Sequence, residues 1–148
     1  MIKLSINFKV IEDTVRILKS FYDQERVVLW LGGNSGECFY ADEVYEPKQI
    51  ADYDYFEIPE AGMDTLMQKI KSSRKILVAQ VHSHPKEAFH SNADDRWAII
   101  RHLNAYSLVI PFFCQDTDVQ NFSNHVVCFV LSSENEWIKI DNSNLIIL

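Results

Sequence analysis

The chain has 148 residues, 47% of them hydrophobic and 12% aromatic, enough for one folded domain with a real core and too apolar for a disordered tail. Lysine and arginine number 14 against 21 aspartates and glutamates; the net charge of −7 offers no broad surface to a phosphate backbone and argues against nucleic-acid binding as the main role. No apolar run reaches membrane-spanning length, and the start "MIKLSINFKVIEDTV" is too polar for a secretion signal. A cytoplasmic protein away from membranes is expected. Cys38, Cys114 and Cys128 form no CxxC pair and sit in apolar contexts, so buried free thiols are expected rather than disulfides or a thiolate metal site.

The stretch "VIEDTVRILKSFYDQE" carries Val10, Ile11, Val15, Ile17, Leu18 and Phe21 at helical spacing and predicts a first helix. "RVVLWLGG" is a buried strand, and "ECFYADEVYEP" is its hairpin partner across the turn-like "GGNSG". "YDYFEIP" is a short strand or extended entry, followed by a second helix with Met63, Leu66, Met67 and Ile70 in phase. "KILVAQVHSH" is a central strand. "SNADDRWAIIRHLN" opens on a serine cap and continues as a third helix, with Trp97 in the core. "YSLVIPFF", "HVVCFVL" and "EWIKI" are three further strands. The resulting order, α-β-β-(β)-α-β-α-β-β-β, predicts one α/β domain spanning residues 1–148, with a mixed sheet flanked by helices.

The chemistry concentrates in "HSHPKEAFHSNADD", residues 82–95. Side chains two apart on a strand share a face, so His82 and His84 project together from the end of their strand. Two imidazoles make half of a tetrahedral zinc site, and a catalytic zinc usually adds one more protein ligand and leaves a position for water. Asp94 and Asp95, at the start of the following helix, supply the carboxylates. Each piece has an ordinary structural explanation: His-x-His pairs are common on half-exposed strand ends, and Ser91 with Asp94 makes a capping box. Together at one strand–loop–helix junction they point to a hydrolytic site that still needs a base.

The pattern resembles the JAMM motif of the JAB1/MPN/Mov34 metalloproteases: an upstream glutamate, His-x-His-Pro, a short loop, then Ser-x-x-Asp. Here it reads His82-Ser83-His84-Pro85, the loop "KEAFH", and Ser91-Asn92-Ala93-Asp94. Glu25 lies seven positions before Gly32, the spacing at which the family keeps its glutamate before a strand-ending glycine. The match covers roughly residues 25–113 and includes the strand "YSLVIPFF" after the motif helix.

The resemblance implies the layered architecture of the MPN/JAB and cytidine-deaminase-like proteins. It implies one Zn2+ per chain held by His82, His84 and Asp94, Glu25 as the base for the attacking water, and Ser91 as an oxyanion donor. It also implies cleavage of peptide or isopeptide bonds after the C-terminus of a ubiquitin-like protein, alongside conjugation-type enzymes of the same operon. A non-catalytic MPN scaffold and a zinc amidohydrolase acting on a small molecule are the alternatives.

Six residues separate His84 from Ser91, one fewer than the family pattern. Counting from His84 therefore selects Asp95, whereas counting from Ser91 selects Asp94. The second count is preferred, because Ser and Asp share one helix start while the loop can absorb a deletion. Consecutive helical residues point about 100° apart, so one of the pair faces the histidines. Asp95 is then a helix N-terminal charge or a partner to a ligating histidine. Glu12 and Glu37 start no apolar strand that ends in glycine and are weaker candidates for the base. His90 is expected to be exposed, with His102 on the third helix and His125 opening a late strand. "YEPKQIADYDYFEIPE" occupies the place of a substrate-gripping insertion; its shortness favours a substrate tail added along an exposed strand edge. "CQDTDVQNFSNH" is expected to be a mobile lid or partner loop.

Overall fold

The computed structural model describes residues 3–89 and 99–148. Its centre is strand β2 (Val27–Asn34), buried along Val27 to Gly32. Alternation along β2 sends side chains to both faces of the sheet. Val28 and Trp30 pack with Val10, Ile11, Val15 and Leu18 of helix α1 (Phe8–Lys19). Val27 and Leu29 pack with Leu66, Met63 and Ile70 of helix α2 (Glu60–Ser73). A strand covered on both faces reads as a continuous apolar run, which is why "VVLWL" shows no alternation. The Trp30 indole donates to the buried Thr14 hydroxyl at 2.8 Å, tying α1 to the sheet with its polar atoms satisfied.

The remaining strands are β1 (Lys3–Ile6), β3 (Cys38–Tyr45), β6 (Ile76–Ser83), β7 (Tyr106–Ile110), β8 (Val127–Leu131), β9 (Trp137–Ile140) and β10 (Leu145–Ile147). With β2 they form an eight-stranded sheet in the order β10-β1-β3-β2-β6-β7-β8-β9. The β2–β3 hairpin is antiparallel, β6–β7 is parallel, and β1 runs parallel to both β3 and β10. The sheet is therefore mixed and flanked by helices. Strands β4 (Ile50–Ala51) and β5 (Phe56–Glu57) form a separate two-stranded ribbon. No helix among the described residues is long and apolar enough to cross a membrane.

Several expectations need correction. Strands β1 and β10 have no counterpart in the sequence reading; each is short, and each is stabilised by a partner from the far end of the chain. The third helix, expected over residues 91–104, falls outside the described residues as far as Ala98. Its expected end, residues 99–104, is bend and turn. There the polar groups bond sideways: Ile99 N–H to the Gln80 carboxamide at 3.0 Å, and the Arg101 guanidinium to the Asn135 carbonyl at 2.9 Å. His102 lies in this turn, its Nε2 2.8 Å from the Leu77 carbonyl oxygen. The strand "YSLVIPFF" stops at Ile110, because Pro111 has no N–H for the ladder. His125 ends the short helix α3 (Phe122–His125) instead of opening a strand.

"CQDTDVQNFSNH" is tied down rather than lid-like. Phe122 is fully buried with its ring 6.1 Å from that of Trp30, and Asp118 and Asn121 exchange side-chain-to-backbone bonds of 2.8 Å. The three cysteines are free; burial pushes Cys114 up to about 11 and Cys128 up to about 12, whereas Cys38 is only half-buried.

Gly32 lies inside β2 at a register shift rather than at its end. A Cβ there would stand 1.8 Å from the Tyr40 carbonyl oxygen, a backbone atom that cannot swing away. Gly32→Ala should therefore force the hairpin apart and cost about 3 kcal/mol, the upper end for overpacking. A urea midpoint within error of wild type would refute this account of the glycine.

Candidate metal centre

Strand pairing builds the site. In the antiparallel β2–β6 ladder Val27 lies opposite His82, so both side chains share the face that α2 covers further along. Two residues outward on each strand are Glu25 and His84, which the period of two returns to that same face. The three side chains converge at one end of the β2–β6 pair. Their metal-binding atoms all lie within 4.8 Å of one another, and Glu25, His82 and His84 are 5%, 0% and 4% exposed. Glu25 Oε1 stands 3.9 Å from His84 Nε2, beyond direct hydrogen-bond reach.

The odd-numbered neighbour is used differently. Ser83 points away from the cluster: its N–H donates to the Arg26 carbonyl at 3.0 Å, and its hydroxyl accepts from Arg26 N–H at 3.2 Å. The middle residue of His-x-His thus locks the histidine strand to the chain that carries the glutamate.

Around the histidines the walls are aromatic. The Phe89 ring meets His84 edge-on at 4.7 Å, and Phe56 of β5 lies 5.6 Å from His82. Beneath His84 the chain adopts an unusual turn. Phe112, Phe113 and Cys114 have φ of 55°, 53° and 64°, three consecutive non-glycine residues in the left-handed region. Each such residue costs about 1–2 kcal/mol. The turn aims Phe113 N–H at the His84 carbonyl, 2.7 Å away, while His84 N–H donates to Ile110 at 2.8 Å. The second histidine is therefore fixed through both of its backbone groups.

The donor set suits a divalent metal: two imidazoles that can ligate through nitrogen, beside a buried carboxylate. Of the expected site residues, the structure brings Glu25, His82 and His84 together. Ser91 and Asp94 lie outside the described residues, as do His90, Asp95 and Trp97. Four contributors were missed by sequence reasoning: Ser83, Phe56, Gln49 and Asp52. Ser83 was visible as the residue alternation must turn away. Phe56 comes from β5, and Gln49 and Asp52, which bond Val27 and Glu25 at the start of β2, come from the segments beside the ribbon; none carries a local signal.

No family model matches the sequence. A probable metalloprotease, y4jG, from Sinorhizobium fredii (strain NBRC 101917 / NGR234), is 28% identical over 125 residues, covering 82% of this chain and 75% of that protein. Among solved structures, protein DSY2949 from Desulfitobacterium hafniense superimposes with a TM-score of 0.71 at 15% identity, covering 98% of this chain and 92% of that one. AF2198, a JAB1/MPN domain protein from Archaeoglobus fulgidus, superimposes with a TM-score of 0.57 at 14% identity, covering 99% and 98%. At such identities the structural likenesses establish the fold. In fold the chain is similar to a JAB1/MPN domain protein and in sequence to a probable metalloprotease; with the buried Glu25–His82–His84 cluster, these likenesses support a JAMM/MPN family assignment.

Proposed function

We propose that the protein is a zinc-dependent peptidase that hydrolyses the peptide or isopeptide bond after the C-terminus of a ubiquitin-like protein. The observation that carries the reading is the buried cluster of one carboxylate and two histidines on adjacent strands. Bound there, zinc supplies Lewis acidity toward the scissile carbonyl and lowers the pKa of water. His82 and His84 hold it, with Asp94 as the third ligand. Glu25 takes the proton of the attacking water and returns it to the leaving amine. Ser91 donates to the developing oxyanion.

The substrate class rests on the resemblance and on the form of the site. The β4–β5 ribbon flanks the histidines, and among the described residues β5 pairs with β4 alone. A flexible C-terminal tail added along the far edge of β5 would run past His82, with main-chain bonds supplying affinity. Tyr53 and Tyr55, about half exposed in the turn of the ribbon, offer apolar contact beside that track. Conjugation-type enzymes are the expected companions of such an activity.

Zinc-loaded protein should release intact ubiquitin-like protein from C-terminal fusions or from isopeptide-linked conjugates, read by mass spectrometry at the cleavage point. Folded protein with stoichiometric zinc that leaves every such substrate whole would sink the substrate class and favour a scaffold role.

A further inference from the structure

The ribbon that flanks the site also holds the strand end carrying Glu25. Along β2, the N–H and C=O groups of even-numbered residues face β6, and those of odd-numbered residues face β3. On the β6 side, Arg26 bonds Ser83 in both directions. On the other side, β3 pairs no further than Tyr45, which lies opposite Leu29. The next two odd positions, Val27 and Glu25, have no strand there, yet both are bonded.

Val27 is served by a side chain. The Gln49 carboxamide accepts from Val27 N–H at 2.9 Å and donates to the Val27 carbonyl at 2.9 Å. Its second N–H reaches the Pro47 carbonyl at 3.2 Å. One donor and one acceptor in the plane of an amide are what a neighbouring strand residue would offer, so Gln49 stands in for the missing rung. Glu25 N–H then donates to the Asp52 carbonyl at 2.8 Å, three residues further along the same segment. Asp52 is itself fixed, its N–H bonded to the Tyr55 carbonyl at 2.9 Å within the ribbon turn.

We propose that Gln49 is a positioning residue for Glu25: its carboxamide docks the ribbon onto the end of β2, and so holds the backbone from which the base is presented. The inference rests on the peptidase reading only for its consequence in catalysis; the docking itself does not depend on it. A base displaced by a fraction of an ångström loses rate without losing substrate affinity.

The experiment uses Q49M, nearly isosteric but unable to accept or donate as the amide does, with Q49N, one methylene shorter, should Q49M fail to fold. Backbone amide exchange is measured first, on the metal-free protein. The Glu25 amide, which Gln49 does not itself touch, should exchange about tenfold faster, while the amides of residues 28–31 keep their protection. An unchanged Glu25 amide overturns the proposal. In zinc-loaded protein, kcat on a ubiquitin-like fusion should fall roughly 10- to 100-fold, with KM and zinc affinity each within about twofold of wild type. Zinc affinity falling in step with kcat also overturns it, because Gln49 would then be supporting the histidines. If the exchange result holds and wild type cleaves nothing, the docking role stands and the peptidase reading falls.

Discussion

Glu25→Gln should leave the protein folded and metal-loaded while lowering peptide hydrolysis roughly 10²–10⁴-fold, the usual contribution of a positioned acid–base group. The substitution keeps the size of the side chain and its capacity to bond through oxygen, so packing at this 5%-exposed position is preserved. On the proposed mechanism, what it removes is the ability to take a proton from water and return it to the leaving amine. His82 and His84 are untouched, and zinc binding should persist. The measurements are steady-state kinetics together with metal content by atomic absorption. A variant that hydrolyses substrate at the wild-type rate would show that Glu25 is not the base, whatever its distance from the histidines.

His82→Ala separates the roles from the other side. His82 is fully buried and supplies one of the two imidazoles of the cluster, so its loss leaves the proposed site one protein ligand short. The variant should lose both zinc and hydrolysis. It also offers a test that needs no substrate. A ligand that binds only the folded state stabilises it by about 2.7 kcal/mol at a hundredfold excess over its Kd. Wild type should therefore melt at a higher temperature in zinc than in chelator, and His82→Ala should melt at one temperature in both. Because the alanine also opens a cavity, its baseline melting temperature should be lower than that of metal-free wild type by an amount typical of a truncated core side chain. A zinc-dependent shift surviving in the variant would remove His82 from the ligand set.

The two variants make complementary claims about one cluster, and strand geometry explains why they should differ. Glu25 and the histidines share a face, but they belong to different strands. Removing a ligand changes what the site can hold; removing the base changes only what the loaded site can do. The Ser83–Arg26 pair, bonded in both directions, is the reason the two strands keep one relative register there.

Much of this was legible in the chain. The core elements were readable because they carry strong local patterns: the helical phase of Val10, Ile11, Val15 and Leu18, the apolar run of β2, and its hairpin with β3. The short terminal strands β1 and β10 were not, since each buries little by itself and exists through pairing with residues distant in sequence. The turn at residues 112–114 was equally hidden: "PFFC" contains neither glycine nor asparagine, and only tertiary contacts hold three ordinary residues in a left-handed conformation.

For the candidate site the division is sharper. Strand period alone was enough to put two histidines on one face, because it is a local property of the backbone; the expected serine–aspartate helix start lies outside the described residues. The sequence could place Glu25 only through a family-like spacing to Gly32, since 57 positions separate the glutamate from His82 (82 − 25 = 57) and no local rule spans that distance. Tertiary structure decided that Glu25 meets the histidines, by aligning β2 against β6 so that Val27 faces His82. It also decided that the Gln49 carboxamide and the Asp52 carbonyl bond the end of β2. A backbone N–H or carbonyl at a strand end can be met by any complementary group, a side-chain amide or another carbonyl, and so the groups that position a site can come from anywhere the chain happens to return.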